Sequence, residues 1–145
     1  MLPPFTDRGD LPPGIHPADW SEIEQRFGTG SVSRTAAYAK LRHLHELAAR
    51  TERLVRFLVF GSFVSAGAGP RDIDVVLVMA AEFLLEEVPR ESFTLFSHPD
   101  AQARFGASVF WIREGMLQEA QMQLFLETWQ TKRDGSRRGL VEVSP

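Results

Sequence analysis

The sequence predicts an α/β (α+β) fold, a small mixed sheet of about four strands with flanking helices. Three observations predict it. Apolar runs of strand length stand at residues 55–60, 73–79 and 107–112, each bounded by glycine, proline or charge. Stretches 33–51 and 116–129 instead repeat their apolar residues at three- and four-residue spacing, the period of a helix. The two kinds of segment alternate along a chain of 145 residues, which suits one domain with a real core.

Residues 1–16 carry Pro3, Pro4, Pro12 and Pro13 with Gly9 and Gly14, and read as an extended arm leading into a domain over 17–145. The arm's Leu2, Phe5, Leu11 and Ile15 predict that it lies along the domain surface or a partner. Pro17, Asp19 and Glu22 mark a helix start, with proline in the first turn and acids at the positive end of the dipole, and Gly28 marks its stop. Ser33 precedes a longer helix to about Thr51, buried through Ala37, Leu41, Leu44 and Ala48. The first strand, 55–60, stops at Gly61-Ser62, and a short helix or loop runs through Ser65. Residues 66–70 return the chain to the second strand, 73–79, apolar on both faces and so central in the sheet.

Helices are expected over 81–87 and 98–105, the second capped by Ser97 and ended by Gly106. Strand three follows at 107–112. The 116–129 helix carries two apolar stripes, one of Leu117, Ala120 and Leu124, the other of Met122, Phe125, Leu126 and Trp129. So wide an arc predicts cover on two sides, by the sheet and by a neighbour, a homodimer being one such neighbour. Residues 139–143 form a last short strand.

Hydrophobic content of 43% and charged content of 24% are ordinary for a soluble protein. No apolar run approaches a membrane span, and residues 1–5 lack the regions of a signal peptide, so a cytoplasmic location is expected. The absence of cysteine excludes disulfides, thiolate metal sites and a cysteine nucleophile. A net charge of −3 argues against a broad nucleic-acid footprint. Lys132, Arg133, Arg137 and Arg138 do cluster near the C-terminus, where a solvated loop is expected ahead of a phosphate or RNA contact.

Chemistry concentrates where the first strand ends and the second begins. Asp72 and Asp74 are spaced i and i+2, so they project from one face of a strand. Two adjacent acids repel and lose hydration if covered, and a divalent cation held between them is the economical reason to keep both. Gly61-Ser62 offers bare backbone N–H groups and a hydroxyl to a phosphate. Arg71 either reaches a phosphate or faces solvent, with solvent expected.

Gly61-Ser62, nine further residues, and Asp72-Ile73-Asp74 in a second apolar strand resemble the nucleotidyltransferase superfamily, the fold of polymerase-beta-like enzymes and minimal nucleotidyltransferases. The flanks Leu11-Pro12-Pro13-Gly14-Ile15-His16 and Trp129 to Gly135 are similar to those of a bacterial family of small proteins with no settled function. The superfamily resemblance implies Asp72 and Asp74 as catalytic metal ligands for Mg2+ (or Mn2+), and Gly61 and Ser62 at the phosphates of a nucleoside triphosphate. It implies nucleotide transfer to a hydroxyl on a protein or RNA acceptor, in a toxin–antitoxin or phage-defence setting. A complete enzyme of this type also places a third acid on a later strand. Strand three has none, and Ser108 and Glu114 are the nearest substitutes, with Glu142 a weaker one. The alternative is therefore a catalytically inactive member of the fold kept as a binding or interaction module.

Other chemistries find little footing. His43 and His45 fall on different helix faces and make no zinc pair, so both are expected as exposed residues. For His16 and His98 a structural hydrogen bond is expected. Gly67 and Gly69 follow no strand, which argues against a dinucleotide fingerprint. No P-loop lysine and no nucleophile elbow around Ser62 is present.

Overall fold

Five strands form one mixed sheet in the order β1-β5-β2-β3-β4, with β1 at Ile15–Ala18, β2 at Leu54–Phe60, β3 at Ile73–Met79, β4 at Ala107–Arg113 and β5 at Leu140–Val143. The computed structural model describes residues 1–70 and 72–144. Strand β2 runs antiparallel to β3 and β5, whereas β4 lies parallel to β3 and β1 parallel to β5. The mixed α/β class read from the sequence is the one observed, with five strands in place of about four.

Strand β3 shows why its run is apolar throughout. Ile73, Val75, Leu77 and Met79 face a layer built by α1 (Trp20–Phe27), α2 (Val32–Ala49) and α3 (His98–Phe105). Val76 and Val78 point to the other face, covered by α4 (Glu119–Thr128) through Met122, Phe125 and Leu126. A strand buried on both sides has no solvent face to mark with polar residues. Asp74 shares the parity of Val76 and Val78, so it opens onto the α4 face.

Local signals set the helix ends. The Asp19 carboxylate accepts a 2.8 Å hydrogen bond from the Glu22 N–H, and Ser31 Oγ one of 3.1 Å from the Arg34 N–H. Gly106, at φ +62°, ends α3 in the left-handed conformation. At α4, Gln118 and Gln121 bond reciprocally across the first turn and start the helix three residues later than its apolar pattern does.

Three expectations are corrected. Residues 15–18, read as the end of an arm and a helix start, form β1, because the edge beside β5 offers them backbone partners. Pro17 fits there because β1 pairs with one strand only. Residues 81–87 do not form an α-helix. They make a turn and a short 3-10 segment, Leu85–Glu87, followed after Pro89 by a second at Arg90–Phe96. His45 is half-buried, its ring 5.1 Å from Trp20 and 4.9 Å from Phe57, while His43 is exposed as expected. The arm contributes Leu2 and Leu11 to the main core, so it lies along this domain. Of the two α4 stripes, the one through Leu126 packs on the sheet, and Ala120 and Leu124 face outward.

Candidate functional site

The site residues meet at one end of the sheet because β2 and β3 run in opposite directions. Phe60, the last residue of β2, pairs with Asp74, and Asp74 pairs on its other side with Ser108 of β4. Gly61 follows at φ +83° and ψ −162°, a region essentially closed to residues with a Cβ. A Cβ there would overlap Asp74 Oδ2 and lie 3.1 Å from its Cγ. The glycine therefore serves two ends: the chain turns sharply out of the sheet, and the carboxylate leans directly over the backbone. Ser62 then opens a 3-10 turn, Ser62–Val64, exposed and with no side-chain hydrogen bond among the described residues.

Asp72 occupies the bend before β3 and is exposed, whereas Asp74 is half-buried. Burial and then the Asp72 charge push the Asp74 carboxyl above its usual range, and Arg138 and a hydrogen bond from Ser108 pull part of the way back. Ser108 Oγ also lies 3.2 Å from Gln102 Oε1, and its single proton serves one acceptor at a time. Neither aspartate forms an ion pair among the described residues. Beyond Asp74 the face is walled by aromatic rings: Phe60 stands 5.0 Å from Trp129, Trp129 4.4 Å from Phe110, and exposed His98 stacks on Phe110 at 4.9 Å. That wall accounts for the poor hydration of the carboxylate.

The substitutes for a third acid separate in space. Ser108 faces Asp74 directly. Glu114 lies beyond the other end of β4, where its N–H donates to the Met79 carbonyl. Six residues at about 3.3 Å each put its backbone about 20 Å from Ser108. Glu142 is opposite Leu58 and gives both carboxylate oxygens to Arg56, at 2.8 and 2.7 Å, which removes it from the site. Arg71 lies outside the described residues. His16 forms the structural hydrogen bond expected of it, 2.7 Å from Nε2 to the Pro12 carbonyl.

Two groups escape the sequence reading. Arg34, on α2, is buried and donates to the carbonyls of Phe27 (3.1 Å), Phe63 (2.9 Å), Ser65 (2.7 Å) and Gly67. It fastens the loop after Gly61-Ser62 to the helical layer, and burial without a carboxylate lowers its pKa. Its signal is its place: Arg34 begins the Ala37, Leu41, Leu44 and Ala48 stripe, where a cation needs an explanation. Asp10 is the second, a buried acid of the arm bridged in β fashion to Ser65 and bonded at 2.8 Å to Lys132 Nζ. Lys132 and Arg138 are thus three-quarters covered, whereas Arg133 and Arg137 are exposed as expected of a solvated loop.

A family model described as a family of unknown function, DUF6932, matches residues 3–144. The chain belongs to DUF6932. The match takes in residues 3–16 of the arm, all five strands and every site residue named above. No curated protein and no solved structure matches the chain significantly.

The carboxylate pair suits a hard divalent cation. Its donors are oxygens, and no protein cation neutralises either acid by direct contact among the described residues. No group of three or more acids or histidines is assembled there among the described residues. Mg2+ is commonly held by one or two carboxylates with water and substrate phosphates supplying the rest, and Asp72 with Asp74 fits that pattern. No helix among the described residues is long and apolar enough to cross a membrane.

Proposed function

We propose that the chain is a nucleotidyltransferase-like protein that binds a nucleoside triphosphate with Mg2+ or Mn2+ and transfers a nucleotide to a hydroxyl on a protein or RNA acceptor. One observation carries this reading: the Asp74 carboxylate leans over Gly61, in register with the end of β2 and beside Asp72. Stability alone does not favour two neighbouring acids, one of them half-buried and above its ordinary pKa. Asp72 and Asp74 hold the cation, which neutralises charge on the triphosphate when bound. Exposed Ser62 and the backbone at Gly61 receive phosphate oxygens beside it. In the transfer the acceptor oxygen bonds to the α-phosphorus, the bond to the β-phosphate oxygen breaks, pyrophosphate leaves and the hydroxyl proton passes to water. A cytoplasmic location is part of this proposal, and a toxin–antitoxin or phage-defence role accompanies it by resemblance alone.

A second reading is a binding or interaction module without turnover. Ser108 supports it, because the strand position facing Asp74 carries a hydroxyl where a transferase of this type has a third acid. Calorimetric titration with Mg–ATP, paired with incubation of labelled nucleotides and candidate acceptors, separates the two. Transfer by the wild type that Asp74→Asn abolishes supports the enzyme. Metal-dependent binding without transfer supports the module. Absence of both, or transfer undiminished in Asp74→Asn, overturns the proposal.

A further inference from the structure

Arg138 stands apart from the other covered arginines of the domain. Arg34 donates to four carbonyls, and Arg56 makes a two-pronged bond to Glu142. The Arg138 side chain, 24% exposed, makes no hydrogen bond among the described residues. Its nearest acid is Asp10, at 4.0 Å from Nη1 to Oδ1, too long for a direct hydrogen bond. Its backbone is nevertheless fixed. The Arg138 N–H donates to the Gln130 carbonyl at 2.8 Å, and the next N–H, of Gly139, to the Leu11 carbonyl at 2.9 Å.

Position adds the second half of the argument. In the antiparallel pairing of β5 with β2, Glu142 faces Leu58 and Val141 faces Val59. Arg138 lies two residues before β5 begins, at the end of the sheet where β2 gives way to Gly61, and its charge is felt by the Asp74 carboxylate. Asp10 is joined to this end through its bridge to Ser65, and it also holds Lys132. A guanidinium fixed at its backbone, largely covered and with its donors uncommitted is suited to a two-pronged grip on an oxyanion.

We propose that Arg138 is the phosphate-binding residue of this site, taking non-bridging oxygens of the triphosphate tail, with Asp10 as an internal counter-anion that holds Arg138 and Lys132 at the site in the tail's absence. This rests on the nucleotide reading above and adds what that reading lacks, a protein cation facing a tail that enters beside two carboxylates. Asp10 opposes that tail, so the strength of its hold on the two cations sets the affinity.

The probes are Mg–ATP, Mg–tripolyphosphate and adenosine, titrated calorimetrically into wild type, Arg138→Gln, Arg138→Lys, Asp10→Asn and Asp74→Asn, each checked for folding by circular dichroism. Arg138→Gln is expected to weaken both phosphate-bearing probes at least ten-fold and to leave adenosine unchanged. Arg138→Lys, which keeps the charge and the fold while losing the fork, weakens them less, by three- to ten-fold. Asp10→Asn tightens tripolyphosphate several-fold. Unchanged affinity in Arg138→Gln, with binding still dependent on Asp74, overturns the role of Arg138 and leaves the nucleotide site standing. Failure of the wild type to bind either phosphate probe with Mg2+ overturns both. An RNA oligonucleotide whose binding is lost in Arg138→Gln while Mg–ATP binding is not would reassign the residue to nucleic-acid backbone and so overturn the proposal.

Discussion

Gly61→Ala tests the seat of Asp74 directly. Two costs add. The backbone region at φ +83° and ψ −162° costs a residue with a Cβ about 1–3 kcal/mol. The new methyl would overlap Asp74 Oδ2 and crowd its Cγ at 3.1 Å, and displacing a packed group of this kind costs about 1–2 kcal/mol more. The sum is about 3 kcal/mol of lost stability, or about 10 °C in Tm for a domain of this size. Asp74→Ala alone removes a half-buried, raised-pKa acid and is expected near neutral. In the double variant only the backbone cost remains, so it should be about 1–2 kcal/mol more stable than the single effects predict. Urea denaturation followed by circular dichroism measures all four corners of the cycle. Additivity within about 0.5 kcal/mol would refute the geometry, since residues without shared partners show that behaviour.

In the absence of divalent metal, the raised pKa of Asp74 sets a sign. The folded state holds the proton to higher pH than the unfolded chain, so this residue's contribution falls as pH rises from the ordinary carboxylate range through its raised value. Asp74→Asn should flatten that part of a Tm-against-pH curve, and an unchanged slope would contradict the burial seen here. Removing the Arg34 guanidinium leaves four carbonyls without their donor, so Arg34→Met should cost about 3 kcal/mol or more by urea denaturation. Arg34→Lys, lacking the planar fork, should recover only part of it. Glu142→Gln breaks a partly exposed two-pronged pair with Arg56 and should cost about 1 kcal/mol while leaving Mg2+-dependent nucleotide binding untouched. A loss of that binding would place Glu142 in the site after all.

The legible parts of the chain are those whose signals are local. Strand β3 and helix α3 run over the residues expected, α3 ending at Gly106 as its signal predicts, although Ser97 makes no side-chain capping bond at its start. Strand β1 had no such signal. Four residues with a proline and a histidine have no period to read, and they become a strand only because β5 lies beside them. Segment 81–87 misled because Phe83 is as buried as a helix residue while the chain makes only a turn and the short 3-10 segment Leu85–Glu87 before Pro89. At the site, the acids and Gly61-Ser62 were readable from spacing. Arg34 was readable only from its place on an apolar stripe. Asp10 was not readable, since its burial follows from where the arm docks more than a hundred residues away from Lys132.

The strand order also governs the sequence of events as the chain is made. Strand β5 is the last of the five to be synthesised, yet it lies inside the sheet, between β1 and β2. Until it emerges, the flank of β2 at Leu58 and Val59 is a bare, apolar edge of unpaired backbone groups, open to another nascent chain. Strand β1, made first, has no partner in that interval. Arg138 comes off the ribosome just ahead of the strand that closes this edge. The sheet and the placing of Arg138 beside it are therefore completed in one late step, and fragments that stop before residue 140 are expected to aggregate rather than fold.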